Sequence, residues 1–140
     1  MGKVQILAVL TMDGCLSSEL YDKAHQDLCL DRCGLDEIRK KAFYRVTPDY
    51  SISMLHEWRK DGTNIRYLAE ATSDTADYIN GLLRMHAVDE IILYTVPFIS
   101  GSGRHFFKSA LPEQHWTLSS LKSYPNGVCR IIYILDKKAR

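Results

Sequence analysis

Apolar and polar positions change period several times along this chain, and each change marks an element. Lys3 to Leu10 reads KVQILAVL, a mostly apolar run that stops before the turn-forming Asp13-Gly14, so it predicts a buried opening strand. Ser17 and Ser18 then precede Leu20, Ala24 and Leu28, with Gly34 just past Cys33, which predicts a capped helix and its stop. LDEIRKKA predicts a second, short helix and FYRV a short strand. SISMLHEWRKDG predicts a clearer helix, with Ser51 or Ser53 as cap, Leu55 and Trp58 on one side, a basic last turn and Gly62 as terminator.

Asn64 to Glu70 returns to strand character, and Ser73 or Asp74 is placed to cap a helix whose face is Ala76, Ile79, Leu82, Leu83 and His86. From Ile91 to Phe98 every residue but Thr95 is apolar or aromatic, as a buried strand requires, and Gly101-Ser102-Gly103 follows with Arg104 and His105 behind it. HFFKSALP predicts a helical turn. HWTLSSLKSY and VCRIIYIL, separated by Pro125-Asn126-Gly127, predict an antiparallel C-terminal hairpin. Strand, helix and strand in succession, closed by a hairpin, make an α/β architecture with a mixed, mostly parallel central sheet.

Composition narrows the function classes. A chain of 140 residues with 46% hydrophobic content suits one domain spanning residues 1–140. A formal net charge of +1 without basic clusters argues against nucleic acid or an anionic membrane as partner, and favours a small-molecule substrate. No apolar run approaches the roughly 20 residues needed to cross a bilayer, and the N-terminus does not read as a signal peptide. The expectation is a cytoplasmic protein. The uncovered strand edges of a short sheet further predict a homodimer.

Cys15, Cys29, Cys33 and Cys129 lack CxxC spacing, so they read as free thiols, and the scattered His25, His56, His86 and His115 predict no metal. Asp89 and Glu90, at a strand start, read as a solvated edge. Asp13 and Gly14 beyond the first strand, Glu70 at the end of another, and the glycine loop all fall where ligands gather in α/β sheets, outside the strands' carboxyl ends.

The TMDG turn after the first strand resembles the start of dihydrofolate-reductase-like proteins. The stretch NIRYLAE, a helix ending LLRMHAVDEIILYTVPFISGSGRHFF, and the closing hairpin are similar to the C-terminal reductase domain of bifunctional riboflavin-biosynthesis proteins. The resemblance covers Trp58 to Leu135 well and Lys3 to Ser17 loosely. It implies a three-layer fold and a reductase that uses NADPH or NADH on a pterin or a ribosylaminopyrimidine. It also implies catalytic positions at Asp13 and Glu70, cofactor contacts at Thr72, Ser73, Gly101, Ser102 and Gly103, and substrate contacts at Gly14 and Arg104.

Two departures qualify that pattern. Where the family has a glycine pair opening a helix toward the cofactor pyrophosphate, this chain has Ala71 and Thr72, with Asp74 close behind. The Gly-Arg-x-Thr-like turn that follows a further strand in the family has no counterpart between Gly34 and Tyr50. A ligand-binding or oligomerising domain on the same fold, with a degenerate cofactor site, is therefore the competing expectation.

Overall fold

The computed structural model describes residues 2–16, 34–42, 44–60, 65–97, 99, 101, 105–108 and 110–136. The helix expected from Ser17 to Cys33 lies outside them, as do Ser102, Gly103 and Arg104. The described elements are β1 (Lys3–Leu10), α1 (Leu35–Lys41), β2 (Tyr44–Arg45), α2 (Ile52–Lys60), β3 (Arg66–Glu70), α3 (Ala76–Arg84), β4 (Glu90–Thr95), β5 (Trp116–Ser123) and β6 (Cys129–Leu135).

They build one six-stranded sheet in the order β2-β3-β1-β4-β6-β5. β1 pairs in parallel with β3 on one side and β4 on the other, which is why its sequence is apolar almost without interruption. Its side chains alternate between two cores. Val4, Ile6, Ala8 and Leu10 face Leu55 of α2 and Ile79, Leu82 and Leu83 of α3. Leu7 faces the other way and clusters with Leu68, Ile92, Tyr94 and Leu35 of α1. Helices thus cover both faces, in three layers. Ser51 caps α2, its Oγ accepting the Met54 amide at 3.1 Å.

β6 pairs antiparallel with β4 and with β5, as the hairpin pattern predicted. Its turn needs glycine: Gly127 has φ +90°, and a Cβ there would approach Pro97 Cγ to 3.1 Å. The pairing of β5 with β6 is interrupted by a bulge between Leu118 and Ser120. Because of it Leu118, opposite Tyr133, and Leu121, opposite Ile131, lie on the same face of the sheet.

Other expectations change. His86 is not on the α3 face: the helix stops at Arg84, and His86 is exposed with φ +55°. The N-cap position of α3 is Thr75, not Ser73 or Asp74, and its hydroxyl makes no cap bond to the helix: it accepts the Thr72 amide and donates to Glu70 O, closing the preceding turn. HFFKSALP forms no helical turn among its described residues, and His105 instead makes a β-bridge with Cys15. Asp89 is not a solvated edge. Its carboxylate is gripped by the Arg59 guanidinium from α2 and accepts the Val4 amide at 2.9 Å, fastening α2 to the start of β1.

Two predictions follow from these contacts. Both members of the Arg59–Asp89 pair are about 85% buried at the side chain, so Arg59→Met, which strands a carboxylate, should lower urea-unfolding stability by about 2–4 kcal/mol. Tyr78 donates to the Tyr50 carbonyl at 2.7 Å, and burial raises its pKa above the ordinary tyrosine value. The unfolded chain ionises this phenol first, so its contribution is complete below the ordinary value and falls as pH rises through the folded one. Tyr78→Phe should flatten that alkaline decline in a pH series of thermal melts.

Candidate functional site

The carboxyl ends of β1, β3 and β4 open on one edge of the sheet, and two loops meet there. After β1 the chain folds back on itself: Gly14 N donates to Thr11 O at 3.0 Å, and Thr11 N to Cys15 O at 2.8 Å. Gly14 has φ +79°, which explains glycine at that position. The Thr11 hydroxyl accepts the Cys15 amide and donates to Asp13 Oδ1. Asp13 Oδ2 then accepts the amide of Gly101 at 3.0 Å, from 88 residues away. Phe106 N donates to Gly14 O at 3.1 Å and continues the contact. The TMDG turn and the glycine loop are therefore clipped together by one carboxylate.

A residue that the helical pattern had passed over secures this loop from below. Asn80 of α3 is fully buried, and its Nδ2 donates to Phe106 O and to Ala76 O, each at 2.8 Å, while its Oδ1 accepts Lys108 N at 3.0 Å. The signal existed in the sequence. Asn80 stands four residues after Ala76 on the apolar face, where a polar side chain must find partners in the interior.

Glu70 lies across β1 from this clip. Its pairing with Leu7 sets it three residues short of Leu10, roughly 10 Å back along the sheet. Its carboxylate is held in a forked ion pair by Arg39 of α1, with Arg45 at 3.9 Å. Thus the two expected catalytic carboxylates are not brought together. Asp13 meets Gly14 and Gly101, whereas Glu70 belongs with Thr72 and Ser73 beyond β3.

The turn after Glu70 is the place to test for a dinucleotide. Pyrophosphate recognition at a helix start uses backbone amides with no other partner and glycines that let the phosphate approach. Here Ala71 N donates to Leu7 O at 2.8 Å, and Thr72 N to Thr75 Oγ1 at 2.8 Å. Thr75 N and Ala76 N both donate to Thr72 O, and the Thr75 hydroxyl to Glu70 O. Ser73 and Asp74 are exposed above this closed turn. These residues do not fit a dinucleotide pyrophosphate, because the chain's own groups occupy the amides of Ala71, Thr72, Thr75 and Ala76, no glycine opens the turn, and the Asp74 carboxylate stands at its exposed top. Among the described residues no cluster of His, Cys, Asp and Glu is arranged for a metal ion, and no helix is long and apolar enough to cross a membrane.

Replacing Asn80 by Ala would leave the Phe106 carbonyl and the Lys108 amide without their partner. The expected loss is about 1–3 kcal/mol of stability, with faster hydrogen exchange at Lys108 than at the β1 amides. Unchanged exchange at Lys108 would show that the loop does not depend on Asn80.

No family model and no curated protein sequence matches the chain. Solved structures do match. A Shewanella sp. PV-4 protein provisionally assigned to riboflavin biosynthesis superposes with a TM-score of 0.63 at 11% identity, over 96% of this chain and 99% of that one. Dihydrofolate reductase from Enterococcus faecalis, complexed with NADP(H) and RAB-propyl, gives a TM-score of 0.56 at 11% identity, over 96% and 97%. Acinetobacter baumannii RibD gives 0.52 at 13% identity, over 97% of this chain but 58% of its own. With helices on both faces of a mixed sheet and these structural neighbours, the chain has a dihydrofolate-reductase-like fold.

Proposed function

We propose that this chain is a small-molecule-binding protein on a reductase-like fold, in which the turn that would take a dinucleotide pyrophosphate is closed by the protein itself. The observation that carries this reading is the turn from Glu70 to Ala76, which its own threonine hydroxyls and carbonyls close. The amides of Ala71, Thr72, Thr75 and Ala76 are bonded within the fold, and Glu70 directs a carboxylate at Arg39. For NADPH to settle there, several hydrogen bonds would have to break and an anion would have to approach Glu70 and Asp74.

The reductase reading keeps one specific observation in its favour. The Asp13–Gly101 clip holds the TMDG turn and the glycine loop beside each other at the ends of β1 and β4, where ligands collect in open α/β sheets. On that reading NADPH delivers hydride to a pterin or a ribosylaminopyrimidine, and Asp13, Gly14 and Gly101 position the reacting partners.

A titration separates the two. Millimolar NADPH should produce no saturable change in melting temperature or nicotinamide fluorescence with the wild-type chain. The double variant Ala71→Gly, Thr72→Gly, which places a glycine pair directly after Glu70, should gain measurable binding. Micromolar NADPH binding by the wild type, with oxidation of the cofactor on adding a dihydropterin or a ribosylaminopyrimidine, would overturn the proposal in favour of the reductase.

A further inference from the structure

The C-terminal hairpin carries an apolar surface that neither core uses. Leu118 and Leu121 of β5 are 51% and 62% exposed, and Ile131 and Tyr133 of β6 beside them are half-buried. None of the four joins either of the two core clusters. They nevertheless stand in ordered rows. Leu118 is opposite Tyr133 and, one strand further in, Ile91, while Leu121 is opposite Ile131 and then Leu93. Ile91 belongs to the core beneath α2 and α3, and Leu93 packs on that core. The rows therefore start inside it and run out to the edge of the sheet.

The bulge creates this surface. Leu118 and Leu121 are three residues apart, and in an unbroken strand they would point to opposite faces. From Leu118 to Ser120 β5 takes two steps where β6 takes one, from Tyr133 to Ile132, and the extra residue returns Leu121 to the Leu118 face. A single exposed leucine needs no explanation, but adjacent apolar rows with open ends mark a contact surface. The charges of this part of the sheet fall on the other face, where Lys122 is opposite Arg130 and Glu90 is opposite Ile134. On the leucine face β5 and β6 carry no charge.

We propose that this face is the contact through which two copies of the chain associate about a two-fold axis. In such a contact a patch meets its own copy, so a charge near the axis would face itself and be repelled. A face with no charge is complementary to itself. Other occupants match it less well. An apolar surface that settles on a lipid headgroup layer is flanked by cations on the same side, whereas Lys122 and Arg130 lie on the opposite face. Addition of a strand along β5 is opposed by the bulge and by the exposed Lys122, both of which deter edge pairing. The association expected from uncovered strand edges thus belongs to a face beside the edge. The patch is only two strands wide, well short of an obligate interface, so the dimer is a reversible one.

The test is sedimentation velocity on the full chain from micromolar to near-millimolar concentration, where the mass should rise reversibly from monomer to dimer. Leu121→Lys, and separately Leu118→Lys, should raise the dimer dissociation constant by about tenfold or more, the scale of losing buried leucine surface from both copies. Leu121→Met keeps an apolar side chain of similar volume and should retain the dimer. Ile134→Lys places the same charge on the opposite face of the same hairpin and should also retain it. Circular dichroism checks that each variant is folded, which the exposure of the substituted side chains favours.

A wild-type chain that stays monomeric throughout the range would overturn the proposal, and so would a monomer that binds neutral phosphatidylcholine vesicles through the leucines. A dimer that folded Leu118→Lys and Leu121→Lys leave intact, or that Ile134→Lys weakens as much as they do, would place the contact elsewhere and equally overturn it.

Discussion

The structure depends on one constraint: β1 must lose both faces and both edges to the protein at the same time. Its backbone is paired on each side by a parallel strand, and its side chains divide between two cores. Parallel neighbours cannot be reached by a tight turn, so helical crossovers are required, and these crossovers cover the two faces that β1 needs covered. The arrangement also brings the carboxyl ends of β3, β1 and β4 to a common edge, which is where the loops of interest are found.

Most of the half-buried carboxylates near β1 are held by the fold. Asp13 couples two loops, Glu70 is taken by Arg39, and Asp89 is taken by Arg59 at the opposite end of β1. Each half-buried carboxylate has acquired donors because burial without them would be costly. Arg130 is the contrast. Its buried Nε lacks a partner, and the nearest cation on its strand neighbour adds repulsion rather than relief. The turn after β3 differs from a dinucleotide pocket in a physical sense: its amides at Ala71, Thr72, Thr75 and Ala76 are held by the protein's own oxygens.

Much of the fold was legible because apolar periodicity reports burial directly. The continuous run in β1, the three-and-four spacing in α3 and the turn at Asn126-Gly127 each led to the element observed. Positions failed where a local rule met a distant partner. His86 shared the helical spacing, yet α3 ends before it, and Asp89 sat at a strand start yet faces an arginine from α2. The pairing of β5 was likewise interrupted by a bulge, which depends on how β6 pairs and not on β5 alone.

The candidate site divides along the same line. The sequence by itself determined that Asp13-Gly14, Glu70 and the loop at Gly101 fall beyond strand ends, since composition and turn chemistry are local properties. It also established that Ala71 and Thr72 stand where bare glycines would be needed, because a missing glycine is visible in one dimension. Only the tertiary structure decided which of these groups meet: that Asp13 reaches Gly101, that Arg39 claims Glu70, that Asn80 holds the loop, and that Arg130 faces Tyr94. Those pairings are set by strand order and register, which bring together residues many positions apart, and hydrogen-bond partners are chosen by that proximity and not by sequence spacing.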